Sequence, residues 1–130
     1  LAQKNTHFHQ ITLETYESDL LSALPKDIDT PLVLAANLPY VPESERHTSV
    51  KKEPQGAIYS GVDGLDHFRR FFSQLSHISF RACVFEFHPP QKDFFTSFCK
   101  ELFPTASLRF FRDLSGHWRG GVLSYNQNNF

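Results

Sequence analysis

The chain contains no methionine and only two cysteines, Cys83 and Cys99, among its 130 residues. Both cysteines have apolar neighbours and do not make a disulfide framework, so we expect reduced core thiols in a cytoplasmic protein. No apolar run approaches the roughly 20 residues that a membrane-spanning helix needs, and the opening stretch is too polar for a signal peptide. The formal net charge of −1 leaves no electrostatic footprint for nucleic acid.

Phenylalanine is the abundant residue type, with 14 copies, and it predicts a core packed mainly by aromatic rings. The length is that of one domain, large enough to bury a core. The first residues, LAQKN, have no helix cap before them and are typical of the end of a helix. We therefore expect the chain to be a piece of a longer protein.

Hydrophobic periodicity predicts two strands and a helix in the first half. Apolar and polar residues alternate over residues 11–17, which indicates a half-buried strand. The continuous apolar run at 31–36 is typical of a strand buried on both faces of a parallel sheet. A helix follows with Asp63 as its predicted N-cap, and its apolar face consists of Leu65, Phe68, Phe72 and Leu75.

The second half is predicted to hold a strand, a helix and a final pair of strands. The strand covers 81–87, and the helix begins at Pro89-Pro90 and ends before Pro104. The last strands, at 108–112 and 118–125, are joined by a turn too short for a crossover, so they must be antiparallel neighbours. This order predicts an α/β sheet with an antiparallel C-terminal hairpin at one edge.

The clearest candidate site is Asn37-Leu38-Pro39-Tyr40, which directly follows the apolar run. Ligands of open parallel sheets bind beyond the carboxyl ends of strands. The Asn37 oxygen and a backbone carbonyl held by Pro39 can accept the two N–H groups of a planar NH2, and the Tyr40 ring can stack on its flat face. Taken alone, the tetrapeptide favours a simple turn that ends a strand.

The sequence resembles the release-factor glutamine methyltransferases, also called HemK-type protein methyltransferases, in five pieces that follow the family's order. They are residues 18–24, the tetrapeptide 37–40 in place of Asn-Pro-Pro-Tyr, Glu53-Pro54 with Ala57, Gly61 and Asp63-Gly64-Leu65, then Glu86 with Gln91, and Asp113 with Gly116 and Arg119. Two positions depart from the family pattern. Leu38 replaces the first proline, and His88 replaces a glycine.

The resemblance implies a class I S-adenosylmethionine-dependent methyltransferase fold, which is Rossmann-like and has the strand order 3-2-1-4-5-7-6. Residues 1–130 would be the C-terminal part of the catalytic domain, a partial domain lacking the first two strands. The family's glycine-rich cofactor loop and its ribose-binding acidic residue have no counterpart in this sequence. Strand 4, at residues 31–36, would then lie at an open apolar edge.

The resemblance also implies the reaction: methyl transfer from S-adenosylmethionine to a glutamine side-chain amide of a peptide-chain release factor. The implied catalytic residues are Asn37 and Tyr40. The implied substrate contacts are Asn37, Leu38, Pro39 and Tyr40, and the implied cofactor contacts are Asp19, Leu20 and Asn37. We expect no metal, no membrane, no nucleic-acid partner, a monomeric full-length protein, and no catalysis by this chain alone.

Two other functions remain open at this point. Asn-Leu-Pro-Tyr is also the form found in rRNA adenine dimethylases, so an rRNA or DNA adenine N6-methyltransferase fragment is one alternative. A non-catalytic interaction module is the other.

Structural roles are also open for several of the matched residues. Leu20 suits a core leucine as well as a cofactor pocket, and Glu86 suits an anchor for nearby loop backbone. Asp113 and Arg119 suit an ion pair across the final hairpin. The seven histidines are too scattered for a zinc site.

Overall fold

The computed structural model describes residues 2–25, 28, 31–46 and 54–125. Within these ranges the chain forms three α-helices and four β-strands. The helices are α1 (Ala2–His9), α2 (Asp66–Leu75) and α3 (Lys92–Leu102). The strands are β1 (Leu32–Ala36), β2 (Phe80–Glu86), β3 (Ser107–Arg112) and β4 (Trp118–Ser124). The helical character predicted for the first residues is confirmed by α1.

The strands form one mixed sheet in the order β1-β2-β4-β3. β1 and β2 are parallel, with Ala36 beside Phe85, and α2 lies between them in the chain. β4 is antiparallel to both of its neighbours, and Gly120 pairs with Glu86 on one side and Phe111 on the other. This is the α/β sheet with an edge hairpin predicted from the sequence, and its order is that expected for strands 4, 5, 7 and 6 of the class I fold.

The core is aromatic, as predicted, and lies between the sheet and the helices α2 and α3. The Phe72 ring of α2 meets Phe85 of β2 at 5.2 Å and Phe95 of α3 at 6.1 Å between centroids. Such edge-to-face packing adds to the free energy gained by burying the rings. Cys83 and Cys99 are free thiols inside this core, and burial raises the pKa of each to about 12.

The opposite face of the sheet carries exposed apolar side chains. Val33 of β1 is 71% exposed, and Val84 and Phe111 are also exposed. The prediction that residues 31–36 are buried on both faces is therefore wrong, because α2 and α3 pack on the other face of the sheet and Val33 projects from the face that they do not cover. The open apolar edge implied by the family's strand order is confirmed.

The strand predicted at 11–17 is not formed, and Ile11 and Leu13 are exposed. Its alternating pattern needs a neighbouring strand, and the class I order separates that position from β1 by two strands that this sequence does not contain. The N-cap prediction for Asp63 is also wrong. α2 begins at Asp66, and Asp63 Oδ1 instead accepts the Leu65 N–H at 3.1 Å. None of the described helices is long and apolar enough to cross a membrane.

Candidate functional site at the carboxyl edge of the sheet

Asn37 follows the last residue of β1 directly, at the carboxyl edge of the parallel strands, and its side chain is exposed. It borders two adjoining cavities of about 270 and 200 Å³. Within the described parts of the chain, no hydrogen bond engages its side-chain amide. The amide is thus available to a ligand at the edge where open parallel sheets bind them.

The backbone that follows Asn37 is held by the buried side chain of Gln91. Its Nε2 donates to the Tyr40 carbonyl at 2.9 Å and to the Asp63 carbonyl at 3.0 Å, and its Oε1 accepts the His88 N–H at 3.0 Å. One side chain therefore connects three of the sequence pieces that carry the family resemblance. Buried polar groups whose hydrogen bonds are all made fix the segments that they join.

Gly64 allows the same segments to approach closely. Its φ is +76°, and a Cβ built on it would lie 2.2 Å from the Tyr40 carbonyl oxygen and 2.6 Å from Gln91 Nε2. Only glycine fits this backbone conformation and this spacing. The motif Asp63-Gly64-Leu65 thus packs against the turn at 37–40 and helps to hold it in place.

The Tyr40 side chain is fixed at its far end. Its hydroxyl donates to Glu86 Oε1 at 2.7 Å, and Glu86 is the last residue of β2. Desolvation by burial raises the Tyr40 pKa, and the Glu86 carboxylate raises it further. The prediction that Glu86 binds loop backbone is wrong. Its carboxylate accepts a hydrogen bond from the Tyr40 side-chain hydroxyl instead.

The final hairpin brings a charged pair to the same edge. Arg119 Nε donates to Asp113 Oδ2 at 3.2 Å, which confirms the predicted ion pair. Arg119 also lines the larger cavity together with Asn37 and Glu86. The Asp113 pKa is lowered chiefly by the hydrogen bond that its carboxylate accepts from the His117 N–H.

The turn at Asp19 and Leu20 contacts α2. Asp19 pairs with Arg70, and the Leu21 N–H donates to Gln74 Oε1 at 2.8 Å. Leu20 has a φ of 57° and packs against the aromatic core. The second half of α2 leads to the amino end of β2, whereas Asn37 follows the carboxyl end of β1. The structure brings Asn37 together with Tyr40, and the cofactor role of Asp19 and Leu20 stays a prediction.

The smaller cavity has two further contributors: Ala57, which the resemblance matched without assigning it a role, and Ile58, which sequence reasoning missed. They reach it because the Val41 N–H donates to the Ile58 carbonyl at 3.0 Å, which brings the backbone at 57–58 beside the turn. No periodicity or motif in the sequence indicates this pairing. Glu53, which the resemblance matched to the family, lies outside the described residues.

The motif pieces follow one another in the family's order, and this order could have assigned Glu86, Gln91 and Arg119 to the site. All three come to the carboxyl edge, where Tyr40 lies between them. Chemically, the arrangement offers a free amide on a turn whose backbone and aromatic ring are both fixed. That combination suits the recognition of a planar polar group.

Comparison with known proteins agrees with the sequence motifs. The chain is 31% identical over 122 residues to a release factor glutamine methyltransferase of Bacillus cereus and 30% identical to one of Bacillus anthracis. Each match covers 89% of this chain but 43% of the relative, so the chain spans less than half the length of these relatives. No protein-family model matches the chain.

A solved structure shares the fold. The superposition covers 85% of this chain and 60% of a chain of the E. cuniculi Mtq2-Trm112 complex, described as responsible for methylating the translation termination factor eRF1. The TM-score is 0.56 at 16% sequence identity, which supports a partial class I methyltransferase fold. The predicted resemblance is therefore confirmed, and along nearly all of its length this chain is a relative of the C-terminal part of the release factor glutamine methyltransferases.

Proposed function

We propose that residues 1–130 form the substrate-recognising C-terminal part of the catalytic domain of an S-adenosylmethionine-dependent methyltransferase that acts on a glutamine amide of a peptide-chain release factor. The observation that carries the proposal is the free side-chain amide of Asn37 beside a turn that Gln91, Gly64 and Glu86 hold in place. The names of the relatives supply the substrate class.

Two groups on this turn recognise the substrate amide. Asn37 Oδ1 accepts one N–H of the glutamine NH2, and the backbone carbonyl between Leu38 and Pro39 accepts the other. The amide nitrogen is a poor nucleophile because its lone pair is delocalised, and it becomes positive as the N–C bond forms. The two acceptors stabilise that charge and aim the nitrogen. The proton leaves after the transfer, so no general base is required.

Tyr40 orients the substrate and does not exchange protons with it. Its hydroxyl is already engaged with Glu86, and its raised pKa keeps the phenol protonated at neutral pH. Because both the backbone carbonyl and the hydroxyl of Tyr40 are held, the ring can present a fixed surface to the flat face of the amide.

S-adenosylmethionine, when bound, would supply an electrophilic methyl group, and its sulfur would leave as a neutral thioether when the methyl–sulfur bond breaks. The exposed amide of Asn37 at the carboxyl end of β1 fits a residue that borders this group. Asp19 would contact the cofactor only if its carboxylate released Arg70, with which it is paired. Leu20 would contribute apolar surface next to it.

The experiment is methyl transfer to a purified bacterial release factor by a chimera in which this chain replaces the matching stretch of the Bacillus cereus relative. Asn37→Ala should lower single-turnover methyl transfer by about 10²–10³-fold, the usual loss for one preorganised transition-state partner. Asn5→Ala, at an exposed asparagine of α1, is the matched control and should retain full activity. The melting temperature should not change in either variant. A large loss of stability with normal turnover for Asn37→Ala would show that Asn37 only ends the strand.

A further inference from the structure

The tip of the final hairpin, residues 112–118, presents an unusual leucine. Leu114 is 109% exposed, the highest value among the large apolar residues that the structure describes. Single exposed apolar residues are common on protein surfaces and by themselves indicate nothing. This one differs because the turn that carries it is fixed and because its neighbours are aromatic and basic.

The turn is ordered by its own hydrogen bonds. Asp113 Oδ1 accepts the N–H groups of Ser115 and His117 at 2.9 and 3.0 Å, and Arg112 Nη1 donates to the Gly116 carbonyl at 2.7 Å. Gly116 has a φ of +83°, which favours glycine. A side chain presented on an ordered turn binds a partner with little further loss of conformational entropy.

Two cations and an indole lie beside the turn. The Arg112 guanidinium is 4.2 Å from the Trp118 ring centroid, and Lys92 Nζ is 5.0 Å from the same ring. The carboxylate of the turn, Asp113, is already paired with Arg119. The tip therefore combines an apolar group with positive charge, and tryptophan and arginine are the residue types most enriched at interface hot spots.

The position of the tip relates it to the candidate site. Glu86 at the end of β2 pairs with Gly120, so the residues that precede Gly120 in the hairpin extend beyond the carboxyl edge. β2 alone separates β1 from β4, so Gly120 lies about two strand spacings, or roughly 10 Å, from Asn37, and the turn lies about four residues, or roughly 13 Å, further along the strand direction. An extended peptide spans the resulting separation of roughly 16 Å with about five residues.

We propose that the hairpin tip is a docking surface for the protein substrate, which contacts Leu114 through an apolar side chain and Arg112 through a neighbouring carboxylate, about five residues from the methylated glutamine. This inference rests on the proposed function and adds to it the place where the substrate polypeptide is held.

The test is isothermal titration calorimetry of this chain with a purified bacterial peptide-chain release factor as the probe. Leu114→Ser should weaken binding by about tenfold or more. Leu13→Ser, at another exposed leucine, is the matched control and should stay within about twofold of the unchanged chain. Neither substitution should lower the melting temperature, because both side chains project into solvent.

The possible results separate the two proposals. Equal affinities for Leu114→Ser and Leu13→Ser would overturn the docking surface and leave the release factor as a ligand of the site. If the unchanged chain, shown to be folded, binds no release factor, the substrate named under the proposed function is wrong and the docking surface falls with it. A loss of affinity for Leu114→Ser but not for Leu13→Ser supports the apolar contact. A larger loss when Leu114→Ser is combined with Arg112→Gln supports the charged contact as well.

Discussion

Gly64→Ala is the substitution whose cost follows most directly from the geometry. The native φ of +76° lies in the left-handed region, where an L-residue costs about 1–2 kcal/mol. The new methyl group would also lie 2.2 Å from the Tyr40 carbonyl oxygen and 2.6 Å from Gln91 Nε2. The neighbouring backbone and the Gln91 amide must therefore separate.

That separation breaks the hydrogen bond from Gln91 to Tyr40 and leaves a buried amide donor without its partner. An unsatisfied buried polar group costs about 1–3 kcal/mol. Together with the conformational cost, Gly64→Ala should lower the free energy of unfolding by roughly 2–5 kcal/mol. A domain of this size has about 5–15 kcal/mol in total, so the variant should still be measurable.

Urea unfolding of three glycine variants isolates the contributions. Gly116→Ala has the same kind of positive φ, at +83°, but nothing lies within 4 Å of its Cβ, so only the conformational cost of about 1–2 kcal/mol should appear. Gly56→Ala, in open space and without a positive φ, should leave stability nearly unchanged. If Gly64→Ala and Gly116→Ala cost the same within about 0.5 kcal/mol, the close contact with Tyr40 does not contribute, and the argument that Gly64 supports the turn is refuted.

The core thiols and two carboxylates give two further predictions. Because their pKa values are about 12, Cys83 and Cys99 should resist iodoacetamide at pH 8 in the folded chain and react on unfolding in urea, as mass spectrometry can show; rapid labelling of the folded chain would contradict their burial. The pKa values of Asp63 and Asp113 are lowered from 3.8, by Arg69 and by the His117 N–H respectively. Their stabilisation is therefore complete above about pH 5 and is lost as pH falls through the lower folded-state values. Asp63→Asn combined with Asp113→Asn should lose less stability between pH 5 and 2 than the unchanged chain, and an equal loss would exclude these carboxylates as its source.

The sequence predicted the elements that carry their own periodicity or turn signals. The apolar stripe of α2, the strand before Asn37 and the antiparallel hairpin all appear where the pattern indicates them. In each case the signal lies within one element or between adjacent elements. Local spacing was enough because the burial that produces the pattern involves one face of one helix or strand.

The failures have a different origin. Residues 11–17 have a strand-like pattern but no adjacent strand to pair with, and Asp63 has the residue type of an N-cap but a stronger partner in Arg69, with Nη2 to Oδ2 at 2.6 Å. Whether a pattern is realised depends on what the rest of the chain places next to it. The contact between Tyr40 and Glu86 likewise joins the turn after β1 to the last residue of β2, and no local rule predicts it.

The sheet order has a consequence for the route by which the chain folds. Residue 111 pairs with residue 120, so the hairpin closes a short loop, whereas residue 36 must find residue 85. Closing a longer loop costs more chain entropy before any contact compensates for it, and distant pairings form more slowly. We expect β3, β4 and α3 to assemble early on β2 and β1 to join last. Since Asn37 directly follows β1, the recognition turn would complete only in the final step, and a chain stalled before that step would be compact yet unable to bind.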